Sequence, residues 1–214
     1  MTNTFQSPIA ENLTNPDHEV LILKKTPKTI KSRWLILCLA CLMTFGSSFC
    51  FGSPQPLQLD IQSYLTVSNS QFNMLYTVYS VPNLILPFLA GILIDSLGIR
   101  IAIIGLAFLV AAGQTILFSG VYYMNFNIML LGRFVLGMGA ESLGVARSAL
   151  LAKWFAHKEL GFAMGVASSS LFIGNSLNSF LATRVFTWTG ELYGSFLLGA
   201  ILCLCSWFFS LARA

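Results

Sequence analysis

Three ionisable side chains, Arg133, Glu141 and Arg147, stand in the otherwise apolar and small-residue run GRFVLGMGAESLGVAR at residues 132–147. A charge at the centre of a membrane span costs about 2.5 to 3.5 kcal/mol, so each needs a compensating interaction. They do not supply it to one another. Arg133 and Glu141 are eight residues apart, roughly 12 Å of helical rise, and Glu141 and Arg147 six, roughly 9 Å. Neither spacing is the i,i+3 or i,i+4 that brings side chains together. Partners must come from other helices, from water or from a ligand. Arg133 and Arg147 lie near the two ends of the run, where a long side chain snorkels or pairs structurally. Glu141 lies closer to the middle and reads as part of a polar pathway. There it can meet the charged amino end of a zwitterionic solute or take up a proton.

Helical periodicity indicates the surface involved. Arg133, Gly137, Ala140, Gly144 and Arg147 follow steps of four and three, Glu141 borders that stripe, and the opposite surface is Leu, Val and Met. Small residues let backbones approach, so the stripe is expected to face protein or a cavity and not lipid. Matching stripes occur elsewhere: Tyr76, Tyr79, Ser80 and Asn83, beside Pro82 and Pro87, and Ser168, Asn175, Asn178 and Ser179. Any single Ser or Asn is more commonly interhelical glue. Three such stripes predict a wetted central cavity lined by the first, second, fourth and fifth spans. Tyr76, Tyr79, Asn83, Asn175 and Asn178 would supply orienting hydrogen bonds and Phe49 an aromatic wall.

The elements that must position these residues are transmembrane helices. With 56% hydrophobic and 9% charged residues and a mean hydropathy of +0.75, the chain reads as an all-α membrane protein embedded in a lipid bilayer. Apolar runs at about Trp34–Gly52, Phe72–Ile94, Ile101–Tyr123, Ile128–Leu151, Leu160–Phe180 and Leu192–Leu211 each approach the ~20 residues needed to cross. The expected organisation is a polar, disordered tail over 1–33 and a six-helix bundle over 34–214. The tail includes Glu11, Asp17 and Glu19 and lacks the pattern of a removable signal peptide.

With the N-terminus cytosolic, Lys24, Lys25, Lys28, Lys31, Arg33, Arg100, Lys153, Lys158 and Arg213 collect on the cytosolic side and Arg184 alone on the other, as the positive-inside rule expects. The net charge of +4 therefore reports topology and gives no nucleic-acid surface. Asp17, Leu21 and Ile22 fit an acidic dileucine sorting signal, an extended peptide whose acid meets a basic patch while two apolar side chains enter a pocket. The non-cytosolic loops, of which Ser53–Ser70 is the longest, contain no glycosylation sequon, which suggests a shielding partner. Cys38, Cys41, Cys50, Cys203 and Cys205 read as packed free thiols, with no metal and no cofactor expected. No Ser-His or paired-Asp constellation lies within the spans, which argues against an enzyme.

The turn Gly91-Ile-Leu-Ile-Asp95-Ser-Leu-Gly98-Ile-Arg100 fits G-x-L-x-D-x-x-G-x-R and resembles the cytosolic loop motif of the major facilitator superfamily of transporters. The resemblance implies close helix contact at Gly91, a tight turn at Gly98 and charge interactions for Asp95, with a gating network around Asp95, Arg100 and Arg133. Ser96 and Ile99 leave this network thinner than in most members. Tyr76-x-x-Tyr79-Ser80-x-Pro82-Asn83, the Gly132–Ala146 run and Trp154-Phe155-x-x-Lys158-Glu159-Leu160 further resemble a lysosomal dipeptide-transporting branch of that superfamily.

The resemblance implies facilitated diffusion of dipeptides across the lysosomal membrane and a glycosylated single-span accessory protein on the lumenal side. It also implies a fold of two six-helix halves, each built from two three-helix inverted repeats, with the solute site between the halves. Because the chain reaches Ala214 just after the sixth run, it is expected to be the N-terminal half, with the C-terminal half absent or replaced by a second copy. Animal members carry an arginine on span five where Phe172 stands here and none at Arg147, so the solute carboxylate is gripped elsewhere, for instance by Arg147, or the solute differs. Rival readings are a proton-coupled carrier of organic anions or sugars and a non-transporting membrane scaffold.

Overall fold

In the computed structural model the described residues are 30–155 and 157–212, with side chains over 33–155 and 159–211. The sorting signal Asp17, Leu21 and Ile22 and nearly all of the predicted tail lie outside them. Eight α-helices are described: α1 (Ile30–Gly52), α2 (Gln58–Leu65), α3 (Asn69–Ser80), α4 (Leu86–Leu97), α5 (Ile99–Tyr122), α6 (Phe126–Trp154), α7 (His157–Thr189) and α8 (Leu192–Ala212). Five segments are long and apolar enough to cross a membrane, and six when α3 and α4, bent by 47° across a short break, count as one. Residues 35–214 form one compact unit; of the other, Met1–Trp34, only the start of α1 is described.

Local chemistry sets the boundaries. Ser68 opens α3 with a capping box: its Oγ accepts from Gln71 N at 3.3 Å while its own N donates to Gln71 Oε1 at 2.8 Å. Asn125 caps α6, its Oδ1 accepting from Asn127 N at 3.0 Å. Proline makes the bend in span two. Pro82 begins a 3-10 turn, Pro82–Leu84, and Pro87 follows in the first turn of α4, so two backbone donors are missing within one stretch of helix. Gly98, with φ +85°, turns the chain between α4 and α5, a conformation that only glycine adopts without strain.

Two boundaries differ from expectation. Ser53–Ser70 is largely helical, through a 3-10 turn at Gln55–Leu57 and then α2, because Leu57 and Ile61 bury against Phe72, Leu75 and Phe196. Span five runs to Thr189, well beyond Phe180. Hydropathy marks the stretch that matches lipid, whereas the helix continues for as long as its backbone bonds do.

The firmest packing is between α5 and α6, which run antiparallel with glycine on both sides. A Cβ at Gly113 would lie 2.6 Å from Leu136 Cα, at Gly120 2.6 Å from Met129 N, at Gly132 2.7 Å from Leu117 Cα and at Gly139 2.8 Å from Leu106 O. The contacts extend along both helices, so the backbones touch through their length, which is how spans associate when lipid removes the hydrophobic drive between them. Span six joins α1 through Cys50 and Cys203, whose thiols approach to 3.0 Å and donate to Gly199 O and Gly46 O respectively.

This geometry predicts that Gly132→Leu destabilises the bundle by about 3 kcal/mol, since its neighbours are backbone and cannot move aside. Gly105→Leu, at a position with open space around it, is expected to melt like the parent in detergent. Equal melting temperatures for the two variants would contradict the packing described.

Candidate functional site

On α1, Thr44, Ser47, Ser48 and Phe51 follow helical steps of three, one and three, and all four face one groove. The hydroxyls are held by their own helix: Thr44 Oγ1 donates to Ala40 O at 3.0 Å, Ser47 Oγ to Thr44 O at 2.8 Å and Ser48 Oγ to Thr44 O at 3.0 Å. Such back-bonding satisfies the donor and leaves the oxygen lone pairs free to accept. Across the groove stand Tyr79 of α3, Ala140, Glu141, Gly144, Arg147 and Ser148 of α6, and Phe172 and Asn175 of α7. The cavity measures about 580 Å³ and is walled by spans one, two, four and five.

Glu141 is solvent-exposed within it, and Tyr79 lines the same cavity. Gly137, one turn away on α6, packs against the Tyr79 backbone. That contact brings the phenol of span two beside the acid of span four.

The two arginines of α6 behave differently. Arg133 is completely buried, and its Nη1 and Nη2 both donate to Phe51 O at 3.0 Å. Phe51 sits in the last turn of α1, where carbonyls lack intrahelical partners; the guanidinium serves as the cap. Its Cζ also lies 5.3 Å from the centroid of the Tyr76 ring. Arg133 thereby fixes Phe51, whose ring is 4.9 Å from Tyr79 and 6.0 Å from Tyr76. Arg147 is 9% exposed, lines the cavity, and donates Nη1 to Ala167 O of α7 at 3.2 Å. Its Nε is buried without a hydrogen bond, as is that of Arg133.

Of the residues expected in the site, Glu141, Tyr79, Asn175 and Arg147 meet around the cavity, and Tyr76, Asn83, Asn178 and Phe49 do not line it. Phe49 is a correction. It is 1% exposed and packed in the core beside Phe45, because two residues along a helix turn through about 200°; the aromatic wall is Phe51. Asn178 is fully buried, with Oδ1 3.7 Å from where a Cβ on Gly52 would lie and neither amide atom hydrogen-bonded. It lies one helical step behind Asn175, at the contact with α1. Tyr76 OH and Asn83 Oδ1 are likewise buried without partners. Gly91 is a second correction, since a Cβ there would meet nothing within 4 Å. Asp95 and Arg100 are exposed on either side of the Gly98 turn. The polar α1 stripe went unread, although its 44, 47, 48, 51 spacing was present in the sequence.

The profile of the Major Facilitator Superfamily matches residues 36–214. The chain belongs to that superfamily. It is 36% identical over 198 residues to the lysosomal dipeptide transporter MFSD1 of Mus musculus, an alignment covering 88% of this chain and 43% of that protein. Its identity to the Homo sapiens protein of the same name is 35% over the same length, with the same coverage. The hexuronate transporter of Bacillus subtilis is 27% identical over 120 residues, 55% of this chain and 27% of the other. The chain spans less than half the length of these curated relatives. The superfamily comprises transporters, and the apolar helices make the chain a multi-pass membrane protein.

The contrast between the arginines predicts that Arg133→Gln lowers the melting temperature in detergent, through a loss of about 1 to 3 kcal/mol once the Phe51 carbonyl loses its charged donors. Arg147→Gln is expected to lower it less or not at all, since one terminal nitrogen, and not two, bonds a carbonyl there and the side chain borders the cavity. The reverse order would exchange the roles assigned to the two side chains.

Proposed function

We propose that this six-span unit is one half of a carrier that moves a small zwitterionic solute, of the dipeptide class, across the lysosomal membrane by facilitated diffusion and alternating access. The observation that carries the reading is the exposed carboxylate of Glu141 on the wall of a cavity formed by spans one, two, four and five. An acid held there at the cost of a charge within a span is placed to receive an ammonium group. Tyr79 and Asn175 offer orienting hydrogen bonds, the serines of α1 offer acceptors, and Phe51 supplies an apolar wall. A facing half, from the remaining length that the relatives have or from a second copy, would rock against this one about the site.

The similarity to lysosomal dipeptide transporters supports the substrate class and, with the dileucine pattern Asp17, Leu21 and Ile22, the lysosomal address. Sequon-free lumenal loops fit a glycosylated accessory partner. The test is uptake of labelled Ala-Ala into proteoliposomes. Glu141→Gln, which keeps shape and removes charge, is expected to lower uptake about tenfold or more, the equivalent of about 1.4 kcal/mol. Undiminished uptake would refute the assignment.

Similarity to the hexuronate transporter fits a second reading, a carrier of organic anions or sugars, for which we propose proton coupling. That reading predicts uptake of hexuronate driven by a pH gradient in place of dipeptide uptake.

Replacing Leu21 and Ile22 by alanine is expected to move a fluorescently tagged protein from lysosomes to the plasma membrane. Unaltered lysosomal targeting would remove the signal from the account.

A further inference from the structure

At the end of the bundle opposite Arg100 and Lys153, a second cavity of about 110 Å³ is walled by Tyr64 and Leu65 of α2, Tyr122 of α5, Met124 of the α5–α6 turn, and Glu191 and Tyr193 around the start of α8. It shares no lining residue with the larger cavity. Helix ends and turns build it. α2 and α5 stop there, so their last carbonyls present the negative ends of two helix dipoles. α8 begins there, and Glu191 immediately precedes it, adding a full negative charge. The Glu191 backbone is anchored, its N donating to Thr189 Oγ1 at 3.3 Å, while its carboxylate has no hydrogen bond or ion pair among the described residues. Among those residues the two non-glycines with positive φ, Thr66 at 51° and Met124 at 50°, both stand at this cavity, one adjoining Leu65 and the other in the wall. Left-handed backbone is strained at a β-branched threonine, and packing holds it there.

The rings set the chemistry. Tyr122 meets Tyr193 edge to face, with centroids 5.6 Å apart and planes at 74°, and Tyr64 lines the same space. Three phenol rings and a carboxylate, with no basic side chain in the lining, attract a cation. A primary ammonium brings three N–H donors that need acceptors, whereas the rest of this wall is apolar, Leu65 and Met124 included. A trimethylammonium has no donor to satisfy and lays its methyls against rings and aliphatic groups. At about 30 Å³ for each water-sized group, the cavity has room for about four, a nitrogen with three methyls.

Depth identifies the source. Tyr64, Tyr122, Tyr123, Trp188 and Tyr193 are all exposed at this end of the helices, and Tyr and Trp gather at the level of lipid headgroups. We propose that the cavity is a headgroup site for a choline phospholipid, with the trimethylammonium seated against Tyr64, Tyr122 and Tyr193 and Glu191 as its counter-charge. The bound lipid ties the ends of α2, α5 and α8 together. This site does not depend on which solute the larger cavity takes.

The test is native mass spectrometry of the purified full chain, delipidated in detergent and given equal amounts of phosphatidylcholine, phosphatidylethanolamine and phosphatidylglycerol with the same acyl chains. Phosphatidylcholine is expected to be retained about fivefold or more over either competitor. Glu191→Gln and Tyr122→Leu should each bring its retention down to that of phosphatidylglycerol, and Tyr122→Phe, which keeps the ring face, should preserve the preference. Trp188→Leu, which removes an exposed aromatic outside the cavity, should preserve it too. Equal retention of the three lipids, or a preference that survives both Glu191→Gln and Tyr122→Leu, overturns the site. Loss of the preference in Trp188→Leu also overturns it, and assigns the lipid to the aromatic belt at large. Choline chloride at the same concentration should displace none of the lipid; displacement would make this a site for a free cation and overturn the phospholipid.

Discussion

A charge inside a membrane span must be answered by something, and the organisation of this bundle follows from how three charges on α6 are answered. Arg133 is answered by backbone: the carbonyl at the end of α1 needs a donor and the guanidinium needs an acceptor, so each lowers the other's penalty. Glu141 is answered by access, since its carboxylate is exposed in a cavity with a phenol alongside. Arg147 is answered only in part, through one carbonyl of α7. One helix thus holds a structural cation, a reachable anion and an incompletely compensated cation, in that order along its axis.

That arrangement works only if α6 is a fixed reference, and the glycines supply this. Gly113 and Gly120 on α5, with Gly132 and Gly139 on α6, bring the two backbones together along their length. Gly137, on another face of α6, admits the backbone of Tyr79. The same small residues that make α6 look like a weak helix former are those that seat it between two neighbours. Each of its polar groups then inherits a defined position.

The spans and the cavity-forming set of helices were legible because the lipid imposes two readable rules: about twenty apolar residues for each crossing, and polar side chains gathered on protected faces. The proline-driven bend in span two was legible for the same reason. Helical phase at single residues was harder to read. Phe49 and Phe51 are both aromatic on the same span, and only the turn of the helix decides that one enters the core and the other the cavity. The Thr44-Ser47-Ser48-Phe51 stripe obeys the right spacing but contains no charge to draw notice. The helical segment after α1 was hidden by Pro54 and Pro56, which suggest a loop until Leu57 and Ile61 are seen to pack against Phe72 and Phe196. Gly91 shows the opposite error: a motif implied a close contact, and the space beside it is open. A motif conveys residue types, whereas the contact depends on which neighbour lies opposite.

The position of the cavity has its own physical logic. On one side is α6, locked to α5. On the other is α7, the span with the smallest enclosed share, 17% against 44–50% for the apolar windows of α1, α5 and α6. The helix that bridges them, α1, is held at its end by Arg133 and passes α7 at Gly52, against Asn175 and Asn178, and at Gly174, against Phe45. The Asn178 amide sits unpartnered at this second contact, so the α1–α7 seam is polar and incompletely bonded where the α5–α6 seam is tight backbone on backbone. A site between a rigid wall and a loosely bonded one can keep its chemistry aligned on the first while the second adjusts around a solute. Glu141, on the wall of that cavity, is carried by the helix that the glycine contacts hold against α5.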